Sequence, residues 1–351
     1  MTMFVDMPGR RLAAAVLGLT SAVATLVLAG TPAQAATPWC TTGKTAGGAT
    51  LSSEAVPSDG TERERDLTIT TSAMPGGSAK VRLYLPAGYA TDPASTTYPV
   101  LLLLHGAGAP SDPDVESSYT SWSRRGNVEA LADKYQVVVV MPEGLRYGLY
   151  ADWLNASNGF TPKLQTFHLS QVLPLVRSSC RATSVQAVAG LSAGGFGAYH
   201  YAHVNPSPGF RSVAAFSGDM DLLGTKPLGV WTRTWIPQGV LLNNNQNVNG
   251  PWGDPTTSQV SNWHAVNPKD NAAAIAGLHI PMFLSYGTAN SDPEKTLAAT
   301  DQEMATALQA AGASPTVQVH SGLAHTWDNF NQGLSEAWSM LMTSISATTV
   351  P

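Results

Sequence analysis

Gly190-Leu191-Ser192-Ala193-Gly194 sets a serine in a run of small residues. A serine hydroxyl is a weak nucleophile until a neighbouring base takes its proton. The pattern G-x-S-x-G becomes informative when a buried strand precedes it and a helix follows it. Such a turn lifts the hydroxyl to the carboxyl end of a sheet. Residues 185–189 read as a buried strand, and Gly195-Phe196-Gly197-Ala198 runs on towards Tyr201 as a helix start. Ser192 is therefore the candidate nucleophile.

A base and an orienting acid should follow it in the order serine, acid, histidine. His325 falls in a loop, 321–326, between a strand and the last helix, and is the expected base; His320 is the alternative. His105 precedes the serine. His200 and His203 lie on the helix after it, where packing or surface roles suit them better than a metal pair. After the apolar run 281–286 come two carboxylates, Asp292 and Glu294. Either could accept the second ring N–H of His325 and fix its tautomer. Two backbone N–H groups should meet the negative oxygen formed on attack. One is that of Ala193, after the nucleophile. The other is expected from Ala107, in the loop His105-Gly106-Ala107-Gly108.

These residues need a sheet to carry them. Half-exposed strands are expected at 65–72 and 80–85, buried ones at 98–104, 137–141 and 185–189, and further strands at 213–216, 281–286 and 316–319. Helices are expected at 128–134, 164–176, 296–311 and 333–344. Buried strands alternating with helices predict an α/β doubly wound, mostly parallel sheet. Residues 224–268 carry Trp231, Trp235, Trp252 and Trp263 without a clear period, and read as an insertion over the carboxyl end. The segment 41–60 reads as irregular.

With 351 residues, 43% hydrophobic and 12% charged, a folded chain is expected rather than a disordered one. A net charge of −5 gives no basic field for nucleic acid. Arg10 and Arg11, an apolar run at 12–29 and Ala33-Gln34-Ala35 describe a secretory signal peptide over 1–35, although a retained anchor has similar length. Cleavage would leave no stable membrane anchor. A lead with an edge strand, 36–79, then precedes a catalytic domain at 80–351. In an exported chain the two cysteines, Cys40 and Cys180, are expected to pair; two buried thiols are the alternative. No H-E-x-x-H, C-x-x-C or phosphate-binding glycine motif is present, so no metal or other cofactor is expected.

At these residues the chain resembles the esterase-D-like α/β-hydrolases, and within them the secreted mycolyltransferases of antigen 85 type. The resemblance rests on His105-Gly106, Val140-Met141-Pro142-Glu143-Gly144, Tyr150-Ala151-Asp152-Trp153, the nucleophile turn, Ser217-Gly218, Trp252-Gly253-Asp254-Pro255, Asn267-Pro268 and His325-Thr326-Trp327. It extends from about Lys80 through most of the chain. It implies an α/β-hydrolase fold with His325 as base, and its spacing raises Glu294 to parity with Asp292. His105 and Trp327 are expected to contact substrate. Mycolyltransferases carry Asp-Gly-Leu-Arg in the first loop, where this chain reads His105-Gly106-Ala107-Gly108. Simple esterases of the superfamily carry His-Gly there. The leading expectation is thus a secreted serine esterase acting on a small ester or an acylated glycan or lipid. An acyltransferase that passes the acyl group to a sugar or glycerol hydroxyl is the alternative. An inactive glycan- or protein-binding module is the third.

Overall fold

The computed structural model describes residues 39–107, 118–157, 159–205, 209–224, 247 and 249–350. The expected signal peptide, Gly108, Trp231 and Trp235 lie outside them.

Four strands open the chain: β1 (Thr45–Ala46), β2 (Ala49–Ala55), β3 (Glu64–Thr70) and β4 (Ser78–Tyr84). They pair antiparallel in sequence order. The segment 41–60 is thus not irregular, and that expectation is corrected. Ala49 and Leu51 point inward while the Ser and Thr positions between and after them face solvent, so the polar face of β2 made it resemble a loop.

Six strands follow: β5 (Tyr98–Leu104), β6 (Val138–Pro142), β7 (Ala182–Leu191), β8 (Val213–Phe216), β9 (Met282–Gly287) and β10 (Thr316–His320). They run parallel, and β4 joins them antiparallel to β6. The sheet order is β1-β2-β3-β4-β6-β5-β7-β8-β9-β10. Alternate residues of one strand enter opposite faces. Leu102, Leu104, Val138, Val140 and Val188 join one apolar cluster, whereas Leu101, Leu103, Val139, Met141 and Ala189 join the other. Burial on both faces explains why these strands read as unbroken apolar runs.

Helices cover both faces. α1 (Ser121–Arg125) and α2 (Val128–Ala132) contribute Trp122 and Val128 to the second cluster. On the first face, a wide π-type turn at Thr166–Val172 leads into α3 (Leu173–Ser179). Pro174 lacks an N–H and cannot continue a regular ladder, which accounts for the change of register within the single helix expected at 164–176. α4 (Ala193–Val204) follows β7 directly. α5 (Val260–Val266), in the insertion, and α6 (Ala272–Ala276), just after it, are short. Trp252 and Trp263 are buried edge to face, 4.9 Å apart, with Trp252 against Phe196. Both serve packing. α7 (Glu294–Ala310) follows β9, and α8 (Trp327–Ser344) closes the chain.

Cys40 and Cys180 are disulfide-bonded, which ties the start of the described chain to the end of α3. Beside the bond, Thr41 N–H donates to Ser179 O at 2.9 Å. Among the described residues no helix is long and apolar enough to cross a membrane.

Candidate active site

All six parallel strands end on one side, and the loops after β5, β7, β8, β9 and β10 carry the site. Ser192 stands between β7 and α4 with φ 54 and ψ −123. This left-handed backbone is uncommon for a residue with a side chain and is concentrated at functional turns. Ser192 N–H donates to Phe216 O at the end of β8, and Ser192 O accepts from Gly195 N–H, both at 2.9 Å. The turn is tight against β5: a Cβ built on Gly194 would stand 2.5 Å from Leu104 O and 2.6 Å from His105 O. Only glycine permits that approach.

The loop after β5 lies over the nucleophile. A Cβ on Gly106 would meet Leu191 Cδ1 at 2.7 Å and Ser192 Cβ at 3.3 Å. The next peptide therefore brings Ala107 to the serine. Ala193 is the first residue of α4, where a backbone N–H has no partner within the helix. Ala193 follows Ser192 directly, and Ala107 follows the glycine whose Cβ would meet Ser192.

Glu294, the first residue of α7, is fully buried. Its Oε2 accepts a 2.9 Å hydrogen bond from His325 Nδ1. Its Oε1 accepts from Ser217 Oγ at 2.9 Å, from Asn329 Nδ2 at 3.0 Å and from Gly287 N–H. Burial alone would raise this carboxyl, but His325, Gly287 and Ser217 outweigh it and hold it below its usual value. Glu294 is thus a buried carboxylate. Asp292, the other candidate, is exposed and accepts from Thr296 Oγ1 at 2.6 Å. The structure brings Glu294 to His325, and leaves Asp292 exposed just before the helix, bonded to the Thr296 hydroxyl.

His325 keeps some access to solvent, with 16% of its side chain exposed, and its ring meets Phe330 edge to face at 4.8 Å. His320, the alternative base, is buried. Its Nδ1 meets Asn329 Oδ1 at 2.5 Å and its Nε2 meets Glu336 Oε2 at 3.0 Å. Both nitrogens are engaged away from the serine turn.

Two expected substrate contacts are corrected. His105 is buried, and its two ring nitrogens bond to the backbone of Gly106 and Gly144. Trp327 is also buried, crossed by Trp122 at 5.3 Å and Phe330 at 5.8 Å. The ring nitrogens of His105 are thus engaged inside the protein, and the Trp327 ring packs against its aromatic neighbours. His200 is buried against Gln165, and burial pushes its pKa down to about 3. Among the described residues no group of three His, Cys, Asp or Glu side chains could hold a metal ion.

Ser217, Gly287 and Asn329 were not singled out from sequence as supports of the acid. Ser217 offered one signal, a small polar residue ending the strand beside the nucleophile strand.

Comparisons with known proteins bear on the family and the fold. The Esterase family model matches residues 72–341. Esterase Rv1288 of Mycobacterium tuberculosis strain H37Rv is 34% identical over 155 residues, covering 43% of this chain and 31% of that protein. Esterase MT1326 of strain CDC 1551 gives the same figures. The match thus spans under a third of the length of these curated relatives. Among solved structures, M. tuberculosis MPT51 (FbpC1) superposes with a TM-score of 0.60 at 19% identity, over 77% of this chain and 94% of that one. FphF, a fluorophosphonate-binding serine hydrolase of Staphylococcus aureus, gives 0.60 at 16% identity, over 79% and 98%. A ferulic acid esterase gives 0.53 at 20%, over 81% and 97%. At such identities the likeness is one of fold, and the fold is that of the α/β-hydrolases.

Proposed function

The chain belongs to the Esterase family, and from that premise we propose that it is a serine esterase working through an acyl-enzyme on Ser192. Ser192 Oγ attacks the ester carbonyl carbon as its proton passes to His325 Nε2. The carbonyl electron pair moves onto oxygen, which the N–H groups of Ala107 and Ala193 receive. Collapse expels the alcohol, which takes the proton from His325. Water then attacks the acyl-enzyme by the same route and restores the serine. Glu294 holds His325 in the tautomer with the proton on Nδ1 and stabilises the imidazolium.

The observations that carry this reading are the 2.9 Å bond from His325 to a buried carboxylate and the place of Ser192 on a strand-to-helix turn. Water is the acceptor we assign. His105-Gly106-Ala107 offers no charged side chain where the resembling sugar acyltransferases carry an Asp and an Arg. The substrate class is a small carboxylic ester or an acylated glycan or lipid. The same reading places the protein outside the cytoplasm, supported by the leader pattern at 1–35 and by a disulfide of a kind rare in reducing compartments.

The test is a chain-length series of nitrophenyl esters on the purified protein, with and without trehalose or glycerol. Free acid should be the product, and a quenched reaction should show one acyl group on Ser192 by mass. Wild-type turnover in Ser192→Ala would overturn the mechanism. Dominant ester formation on the added sugar or glycerol would overturn the assignment of water.

A further inference from the structure

The geometry points to His105 as the positioning residue that aims the Ala107 N–H at the oxyanion, an inference that rests on the esterase reading above. Gly144 N–H donates to His105 Nε2 at 2.8 Å. A backbone N–H can only donate, so Nε2 carries the lone pair. A neutral imidazole has one proton, which then sits on Nδ1. Nδ1 lies 2.7 Å from Gly106 O and donates to it. Burial favours the neutral ring, and Glu143 Oε1, 3.8 Å from Nε2, opposes this only in part.

Gly106 O and Ala107 N–H belong to one peptide group. In a planar trans peptide the C=O and N–H point in opposite directions. Holding the carbonyl against the imidazole therefore turns the Ala107 N–H away from it. The residue itself is clamped from two further sides. Tyr150 OH donates to His105 O at 2.5 Å, and Gly194 packs under the same carbonyl. A Cβ on Gly106 would meet Ser192 Cβ at 3.3 Å, so this glycine stands close to the serine. One ring thus links the loop after β6 to the peptide that faces the nucleophile, and its two nitrogens have separable tasks. Nε2 anchors the ring to Gly144, and Nδ1–H sets the orientation of the donor.

Asparagine and glutamine separate the two tasks. The amide nitrogen of asparagine sits near the place of Nδ1 and can still donate to Gly106 O. Glutamine reaches the place of Nε2 and can accept from Gly144, but leaves Gly106 O unheld. Loss of one oxyanion donor costs roughly two to three orders of magnitude in kcat, so a misaimed donor should cost about a hundredfold in His105→Gln with KM within about threefold. His105→Asn should lose about tenfold or less. A boronic acid inhibitor, which forms a tetrahedral adduct on the serine, should weaken in parallel with kcat/KM. A purely structural role would lower both variants alike, or lower the folded fraction at unchanged turnover per folded molecule. Either result overturns the proposal, as would a loss confined to KM. Ring nitrogen NMR of the wild-type protein decides independently of variant folding: His105 should carry its proton on Nδ1, and a proton on Nε2 refutes the mechanism. Ser192→Ala runs alongside. Activity in that variant defeats the esterase mechanism itself, whereas an inactive Ser192→Ala with equal losses in the two His105 variants defeats only the role of His105.

Discussion

Asn329 Nδ2 donates to Glu294 Oε1 at 3.0 Å, and so leaves Oε2 of the same carboxylate to His325. The two oxygens of Glu294 are thereby divided between the Asn329 amide and the His325 ring. Asn329 also donates to Ser217 Oγ at 3.0 Å and to Ala324 O at 3.1 Å, one residue before His325. A single amide on α8 thus fixes the acid, the strand end beside the nucleophile and the loop that carries the base.

That division predicts a large asymmetry between the two carboxylates. Glu294→Gln removes the acceptor that holds the His325 tautomer. In a well-studied triad the equivalent change costs about four orders of magnitude in kcat, or roughly 5 kcal/mol of barrier. Asp292→Asn alters an exposed helix start and should cost under about 1 kcal/mol of stability, with turnover close to wild type. Steady-state kinetics of both variants decide, and comparable losses would remove Glu294 from its assigned role.

Asn329→Ala should weaken both fold and activity. The variant strips one hydrogen-bond donor from Glu294 and leaves the Ala324 carbonyl and the His320 ring with unmet polar groups. Each such buried loss costs about 1–3 kcal/mol. Denaturant unfolding should show a shift of at least that size, and kcat should fall further than the loss of folded protein explains. A variant of wild-type stability would show that solvent replaces the amide.

The Cys40–Cys180 bond closes a chain separation of 140 residues. Cross-links that close long loops restrict the unfolded chain most, and removing such a native bond typically costs about 2–5 kcal/mol. Changing both cysteines to serine, or adding reductant, should lower the melting temperature without changing the kcat of the folded enzyme. An unaltered melting curve would count against any stabilising role.

The central sheet was legible because double burial writes itself as unbroken apolar runs. Residues 98–104 and 213–216 match β5 and β8 end to end. Elements failed to show where one face is polar or where a glycine misled. β2 hid behind its Ser and Thr face. The last helix was expected to begin at Gly333 but starts at Trp327. Gly333 lies inside the helix because a Cβ there would stand 2.4 Å from Ser285 Oγ and 2.8 Å from Phe216 Cδ1. The glycine serves close packing of helix on sheet, which local sequence cannot distinguish from a boundary. The serine turn and the histidine loop could be read from their strand contexts. Choosing between Asp292 and Glu294 could not, since both lie at the start of the same helix and burial separates them. His105 was noticed, but its burial and its two bonds to backbone were not, because a motif names a residue and does not say which way its ring faces.

A pH dependence follows from carboxylates that the proposed chemistry does not use. Asp219, just after β8, is buried, and its Oδ1 has no hydrogen-bond partner among the described residues. Burial first, and then the charge of Asp221, push its pKa up from 3.8 to about 7. Asp221 is itself held ionised by Lys269 at 2.7 Å, so its negative charge persists beside Asp219. Asp301 on α7 is also buried and raised, by burial and then by Glu294, with Asp219 adding to the effect. Between about pH 4 and about pH 7 the folded state keeps a proton on Asp219 that the unfolded chain releases, so stability falls as pH rises through that window and levels off above it. Glu294 works in the opposite sense: its lowered pKa contributes stability above the unfolded value, and that contribution fades as pH falls through the folded one. Asp219→Asn keeps the shape and removes the charge. The variant should be more stable than wild type near pH 8, by on the order of a few kcal/mol, and nearly equal to it near pH 4. Asp301 remains, so a shallower decline should persist in the variant. Urea unfolding of both proteins across this range measures the difference directly. A gap between them that stays constant with pH would show that Asp219 does not change its protonation in the folded protein over this window.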